Sequence, residues 1–330
     1  MKFALIGAGR MGAYHAGVLA TLPQVKAIMI TDVDDARAAT VARGISIAEP
    51  ASLDDAFAGA DAVVIASSTD THADLLLQAA AAGLPAFCEK PIAVDLESTQ
   101  RAVDAIDESG IVVHMGLQRR YDPAIRTIRT AVLEGRVGTP YLIRSQTHDP
   151  APPPMEYIPH SGGIFRDCLI HDIDAVRFVT GQEAVSVRAV GAVLGFEEIG
   201  ALGDVDSAAA MLELSGGTLA QLSGLRHDPV GYDVRLEVFG SKDSMAAGWS
   251  DRTPMHSAEP GVGRPDDPIV SFWDRFEAAY KEEMAAFVRV IEGEEQPAAD
   301  HHDALEALRI AVACDLSLAE GRTVHMDEIA

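Results

Sequence analysis

Two short stretches hold most of the side chains able to do chemistry. In AGLPAFCEKPIA, residues 82–93, Lys90 ends a short apolar run and directly precedes Pro91, in a chain with only five lysines among its 26 basic residues. A lysine at the lip of a cleft can hydrogen-bond and polarise a substrate hydroxyl, and partial burial lowers its pKa. The same side chain can also simply reach solvent past Pro91. In FRDCLIHDIDAVRF the spacing predicts one helix carrying Asp167, His171 and Asp174 at i, i+4 and i+7, on one face. Histidine is the side chain best suited to take a proton near neutral pH, and a neighbouring carboxylate can orient it. A salt-bridged helix face is the alternative. A metal site is not expected, because no further ligand cluster accompanies the Asp–His pair.

A third stretch, ALIGAGRMGAYH, has Gly7-x-Gly9-x-x-Gly12 directly after a predicted strand and at the start of a predicted helix. Gly7 suits the tight turn, Gly9 the close approach of a pyrophosphate, and Gly12 close helix–strand packing. The helix start at Arg10 and Met11 offers free N–H groups and the positive end of the dipole. Asp32, with Val33 beside it, ends the second strand twenty positions after Gly12, where a carboxylate accepts the ribose hydroxyls of NAD and repels the 2′-phosphate of NADP. Asp34 and Asp35 deepen that field and Arg37 softens it. NAD is therefore the expected cofactor.

The SSTDTH run follows the DAVVIA strand at its carboxyl end, so Ser67, Ser68, Thr69 and His72 join the cofactor-side candidates. An N-cap for the next helix is the competing reading of that run, and for His72, as for His15, so is a structural role one turn into a helix. Glu89 and Lys90 emerge at the end of the PAFC strand, beside the nicotinamide end of the crevice.

These residues need a particular scaffold. Apolar strands KFALI, VKAIMI, DAVVIA, PAFC and IVVHMG alternate with helical patterns from Met11, Asp34, Asp70 and Leu96, which implies a parallel sheet wrapped by helices. After residue 139 the pattern changes to alternating strands at 184–194, 205–214, 218–226 and 232–239, with a hairpin turn at SGGT. A Pro/Gly-rich loop covers 251–268, and amphipathic helices at 271–292 and 301–320 finish the chain. The expected fold is α/β: a doubly wound Rossmann domain over 1–120, then an α+β substrate domain over 121–330 with an open, mainly antiparallel sheet. The C-terminal helices are able to pack back on the first domain.

At 330 residues there is room for two cores. A net charge of −24 argues against a nucleic-acid partner. No apolar window reaches the length of a membrane span, and Arg10 interrupts the only stretch resembling a signal peptide. Three widely spaced cysteines suit a reduced, cytoplasmic setting with no disulfide frame.

The glycine motif, CEKPIA, GLQRRYDPAI and DCLIHDIDAV, in this order, resemble the Gfo/Idh/MocA sugar-oxidoreductase family, which includes glucose–fructose oxidoreductase and inositol 2-dehydrogenase. The resemblance runs nearly end to end, and FWDRFEAAYKEEMAAFVRVI is similar to the inositol dehydrogenase branch. It implies that Lys90, Asp167 and His171 are a catalytic set oxidising a secondary alcohol of a cyclic polyol or sugar to the ketone. Asp174, Tyr232 and Tyr280 match positions lining the family's substrate pocket. Thr147 and Asp149 stand where the inositol enzymes carry a His and an Asn, which leaves the isomer open. Residues 119–122, RRYD, fit either support of the nicotinamide pocket or a structural ion pair. A homo-oligomer, dimer or tetramer, follows by the same analogy. A glycosidase-like relative retaining NAD and a non-catalytic NAD/sugar sensor are the alternatives.

Overall fold

The computed structural model describes residues 1–329. The first elements alternate strictly: β1 (Lys2–Ile6), α1 (Arg10–Leu19), β2 (Ala27–Thr31), α2 (Asp35–Arg43), β3 (Ala48–Pro50), α3 (Leu53–Gly59), β4 (Ala62–Ile65), α4 (Thr69–Ala82), β5 (Ala86–Glu89), α5 (Leu96–Ser109) and β6 (Val113–Gly116). Their strands form a parallel sheet in the order β3-β2-β1-β4-β5-β6. Every residue of β4 and β6, and all but the first of β1 and β2, is buried, as expected of strands covered on both faces. The helices start where short polar side chains take up free amides: Asp34 for α2, Ser52 for α3 and Asp95 for α5. The short β3 and the seven-residue α3 were not foreseen, because an AEP strand has neither alternation nor an apolar run.

The chain continues with α6 (Pro123–Leu133), β7 (Pro140–His148), α7 (Ile158–Ser161), α8 (Ile164–Asp167), α9 (Ile170–Thr180), β8 (Ala184–Ala192), α10 (Glu197–Ala201), β9 (Ser207–Leu214), β10 (Leu219–Leu225), β11 (Asp233–Gly240), β12 (Ser244–Ala247), α11 (Phe272–Ile291), α12 (His301–Glu320) and β13 (Val324–His325). A second sheet runs β12-β11-β7-β10-β9-β8-β13. Only its β7–β10 pair is parallel, so the expectation of a mainly antiparallel sheet holds.

Two compact units result: Met1–Gln118 with Tyr280–Glu306, and Arg119–Ala279 with Ala307 onward. Residues 280–306, assigned from sequence to the second domain, therefore cluster with the first. The cause is an apolar stripe on α11: Met284, Phe287 and Val288 share a core with Phe3, Leu5 and Phe87, and the Phe287 ring lies 6.0 Å from Phe3 and 5.9 Å from Phe87.

A correction concerns the 162–181 segment. It is two helices, α8 and α9, broken at Cys168–Leu169. The Leu169 amide reaches back five residues to Ile164 O, and His171 N bonds Cys168 O only three residues back. The ladder is wide and then tight, so Asp167 ends one helix while His171 begins another. They do not share a continuous helical face.

Candidate functional site

The first unit carries the nucleotide-binding turn. Gly7 sits at φ +96°, and a Cβ there would meet Ala66 O at 2.5 Å; at Gly12 a Cβ would lie 1.8 Å from Gly7 O. Both glycines are thus required by backbone packing. Gly9 is different: a Cβ there would meet nothing within 4 Å, which leaves the space a pyrophosphate needs. No side chain caps α1, so its first amides are available to an anion. Asp32 is held in place by accepting from Ala8 N at 2.7 Å and Asp34 N at 2.9 Å, with Arg37 Nη1 3.5 Å away. Val33 beside it is fully exposed. The glycine turn and the ordered Asp32 carboxylate fit a dinucleotide.

Ser68 is the N-cap residue of α4 but makes no side-chain cap bond, while Ser67 Oγ bonds Thr71 Oγ1 at 2.6 Å, and Thr69 opens the helix. The His72 ring is buried, with Nδ1 2.9 Å from Pro91 O and Nε2 3.2 Å from Ser67 O, so it ties two loops together, as the structural reading of this residue expects. Glu89 is turned onto His15, Nε2 to Oε1 2.6 Å. Lys90 follows it, partly buried.

The second unit carries the acidic and imidazole groups. Asp167 Oδ2 accepts from Arg226 Nη1 at 2.6 Å, and its Oδ1 accepts from the Tyr157 hydroxyl at 3.0 Å. Arg226, only 1% exposed, also donates to Asp204 Oδ2 at 3.1 Å and lies 3.2 Å from Cys168 Sγ. Burial opposes its charge, but Cys168, Asp167 and Asp204 outweigh burial and raise its pKa. Burial, then the negative charge of Asp167, pushes the Tyr157 hydroxyl up, so it remains a donor. Asp149, at the end of β7, is joined to β10 through Leu225 O, and its Oδ2 lies 3.5 Å from Cys168 Sγ. Tyr232 is buried edge-on to Phe276, and burial raises its pKa.

Three expected substrate contacts have protein partners of their own. Asp174 is buried and clamped by Arg120 through Nε at 3.0 Å and Nη2 at 2.5 Å. Thr147 donates to Asp172 Oδ2 at 2.5 Å and accepts from Arg119 Nη2 at 2.6 Å, and Ser145 and Arg119 Nη1 complete the shell of Asp172. Tyr280 clusters with the first unit: its hydroxyl accepts from Gln118 Nε2 at 3.1 Å and its ring packs against Tyr14 and His15. The two arginines of RRYD are thereby structural ion-pair partners, because a buried carboxylate without a cation is costly. Arg226 and Tyr157, which hold Asp167, were not singled out from the sequence: Arg226 stands at the last position of an alternating strand and Tyr157 in a Pro-rich loop, and neither carries a motif that would mark it.

Fold and site together define a nicotinamide-dependent oxidoreductase with a Rossmann unit and an open-sheet unit. Residues 1–117 match the model of the oxidoreductase family with an NAD-binding Rossmann fold, and 125–246 match the Gfo/Idh/MocA C-terminal domain. The chain belongs to the Gfo/Idh/MocA family. It is 38% identical to inositol 2-dehydrogenase of Rhizobium meliloti, over 99% of each chain. Among solved structures it resembles a myo-inositol dehydrogenase from Corynebacterium glutamicum, with 38% identity, TM-score 0.90 and 98% of each chain covered. It also resembles scyllo-inositol dehydrogenase from Lactobacillus casei with bound NAD(H) and scyllo-inositol, at 28% identity, TM-score 0.89, covering 99% of this chain and 99% of that one. No helix among the described residues is long and apolar enough to cross a membrane.

Proposed function

We propose that the chain oxidises a secondary alcohol of a cyclic polyol, inositol foremost, to the ketone with NAD as acceptor. The observation that carries this is full-length likeness to inositol dehydrogenases in a chain that retains Lys90, Asp167 and His171. Gly7, Gly9, Arg10, Met11, Gly12, Asp32, Val33, Ser67, Ser68, Thr69 and Glu89 hold the dinucleotide, which when bound supplies the hydride acceptor. His171 takes the hydroxyl proton as the carbonyl forms. Lys90 donates a hydrogen bond to the reacting oxygen. Asp167, oriented by Arg226 and Tyr157, positions the substrate, with Asp149 and Tyr232 as further polyol contacts.

The three cysteines, all free and buried, suit a reducing cytoplasmic setting. A homo-oligomer is supported by exposed Tyr141, Val190, Met211 and Leu219 on the strands of the second sheet. The test is NADH formation with NAD or NADP and a panel of myo-, scyllo- and D-chiro-inositol, glucose and xylose. Turnover with an inositol and NAD is expected, falling by orders of magnitude in Lys90→Ala and His171→Ala. A silent panel with intact NAD binding rejects the reaction.

A further inference from the structure

Lys90 lies between two residues that are each anchored by a buried histidine, and those histidines come from the two helices that open at the nucleotide-binding loops. On one side, Glu89 ends β5, and its Oε1 lies 2.6 Å from His15 Nε2. His15 belongs to α1 and has no exposed surface; the rings of Phe87 at 5.2 Å, Tyr14 at 6.2 Å and Tyr280 at 6.4 Å surround it. Room for the Glu89 carboxylate exists because its neighbour across the sheet is glycine: a Cβ at Gly116 would stand 2.9 Å from Glu89 Oε2. On the other side, the Pro91 carbonyl faces His72 Nδ1 at 2.9 Å, and the opposite edge of the same ring faces Ser67 O at 3.2 Å. His72 belongs to α4 and is 1% exposed.

Two imidazoles buried this deeply are costly unless bonded, and each places one ring nitrogen on a residue flanking Lys90, His15 on Glu89 and His72 on Pro91. Holding the Glu89 carboxylate on α1 and the Pro91 carbonyl on α4 anchors the residues on both sides of Lys90 and so restricts where it can stand.

We infer that His15 and His72 are positioning residues that clamp Lys90 from both sides and tie its location to the cofactor-binding turns. The inference rests on the role proposed above for Lys90. Neither histidine touches a reacting atom; each acts through residue 89 or 91. A displacement of about 1 Å of a catalytic group costs on the order of 10²-fold in rate, and that is the loss expected when either anchor is removed.

The test uses His15→Ala, His72→Ala and the conservative His15→Gln, whose amide nitrogen can still donate to Glu89. With saturating NAD and polyol, kcat is expected to fall about 10²-fold in each alanine variant and to recover at least about tenfold in His15→Gln. A readout independent of turnover comes from the scarcity of lysine. With ¹³Cε-lysine labelling the cofactor-free protein has five signals, and Lys90→Arg assigns one of them to Lys90. In both alanine variants that signal is expected to move toward the position of exposed lysines, with the other four unchanged. Unaltered kcat in folded His15→Ala and His72→Ala, or a Lys90 signal that stays in place, overturns the clamp. If the wild-type protein turns over no polyol, the proposed reaction fails first, and the lysine signal alone decides the clamp.

Discussion

Replacing Arg226 with methionine should damage stability and turnover together. The guanidinium is 1% exposed and bridges Asp167 and Asp204, whose side chains are 13% and 10% exposed. Methionine keeps the apolar stem but strands two carboxylates. Breaking a buried pair by removing one partner costs about 3–5 kcal/mol. The lower end applies, since Asp167 keeps the Tyr157 hydroxyl at 3.0 Å and Asp204 keeps the Ile164 amide at 3.1 Å. About 3 kcal/mol corresponds to a fall of about 6–12 °C in melting temperature for a unit of this size. Calorimetry measures that fall, and kcat/KM for the best polyol is expected to drop alongside it. Arg226→Lys should recover only part of either loss, because a point charge cannot bridge two carboxylates as a planar fork does. Adding Asp167→Asn to Arg226→Met should restore more than about 1 kcal/mol, as residues in one network are not additive. A melting temperature within about 2 °C of wild type, or strict additivity in the double variant, would refute the view that Arg226 holds Asp167.

Asp32→Ala removes a carboxylate that orders the glycine turn through Ala8 N and that is proposed to accept the ribose hydroxyls of NAD. Loss of a charged hydrogen bond worth about 1.5–3 kcal/mol should weaken NAD about 10–150-fold by calorimetric titration, and an unchanged affinity would remove Asp32 from the site. Asp315 offers a pH test. Burial pushes its carboxyl up to about 6, with Arg166 at 2.7 Å opposing only in part. Between about pH 4 and 6 the folded chain keeps a proton that the unfolded chain, at an ordinary carboxylate pKa, has released. This group's contribution to stability is therefore greatest below that window, declines as pH rises through it and is level above. The stability of Asp315→Asn relative to wild type should thus climb from pH 4 to 6 by at most about 3 kcal/mol, and a flat difference across that range would contradict the raised pKa.

Much of the first unit was legible in the chain because its signals are local. Continuous apolar strands such as AVVI, a glycine turn between strand and helix, and an acid at the end of β2 each act within a few residues of where they are written. The same holds for the alternation in β9 and β11 that announced an open sheet. The helix over 162–181 was misread because its apolar spacing continues through Cys168, while the backbone there shifts its hydrogen-bond ladder.

The sequence by itself determined that a Rossmann unit precedes an open-sheet unit and that a dinucleotide belongs with the glycine turn, and it singled out one lysine, one aspartate and one histidine as candidates for the chemistry. Tertiary structure alone decided what each of those groups touches. Arg226 meets Asp167 across 59 positions, Arg120 meets Asp174 across 54, and His15 meets Glu89 across 74. Tyr280 and Asp174 carry the same residue types whether they line a pocket or close a core, and only packing separates the two. The physical reason is that a buried charge or imidazole must find its partner wherever the fold brings one near, and such a partner leaves no periodic mark along the chain.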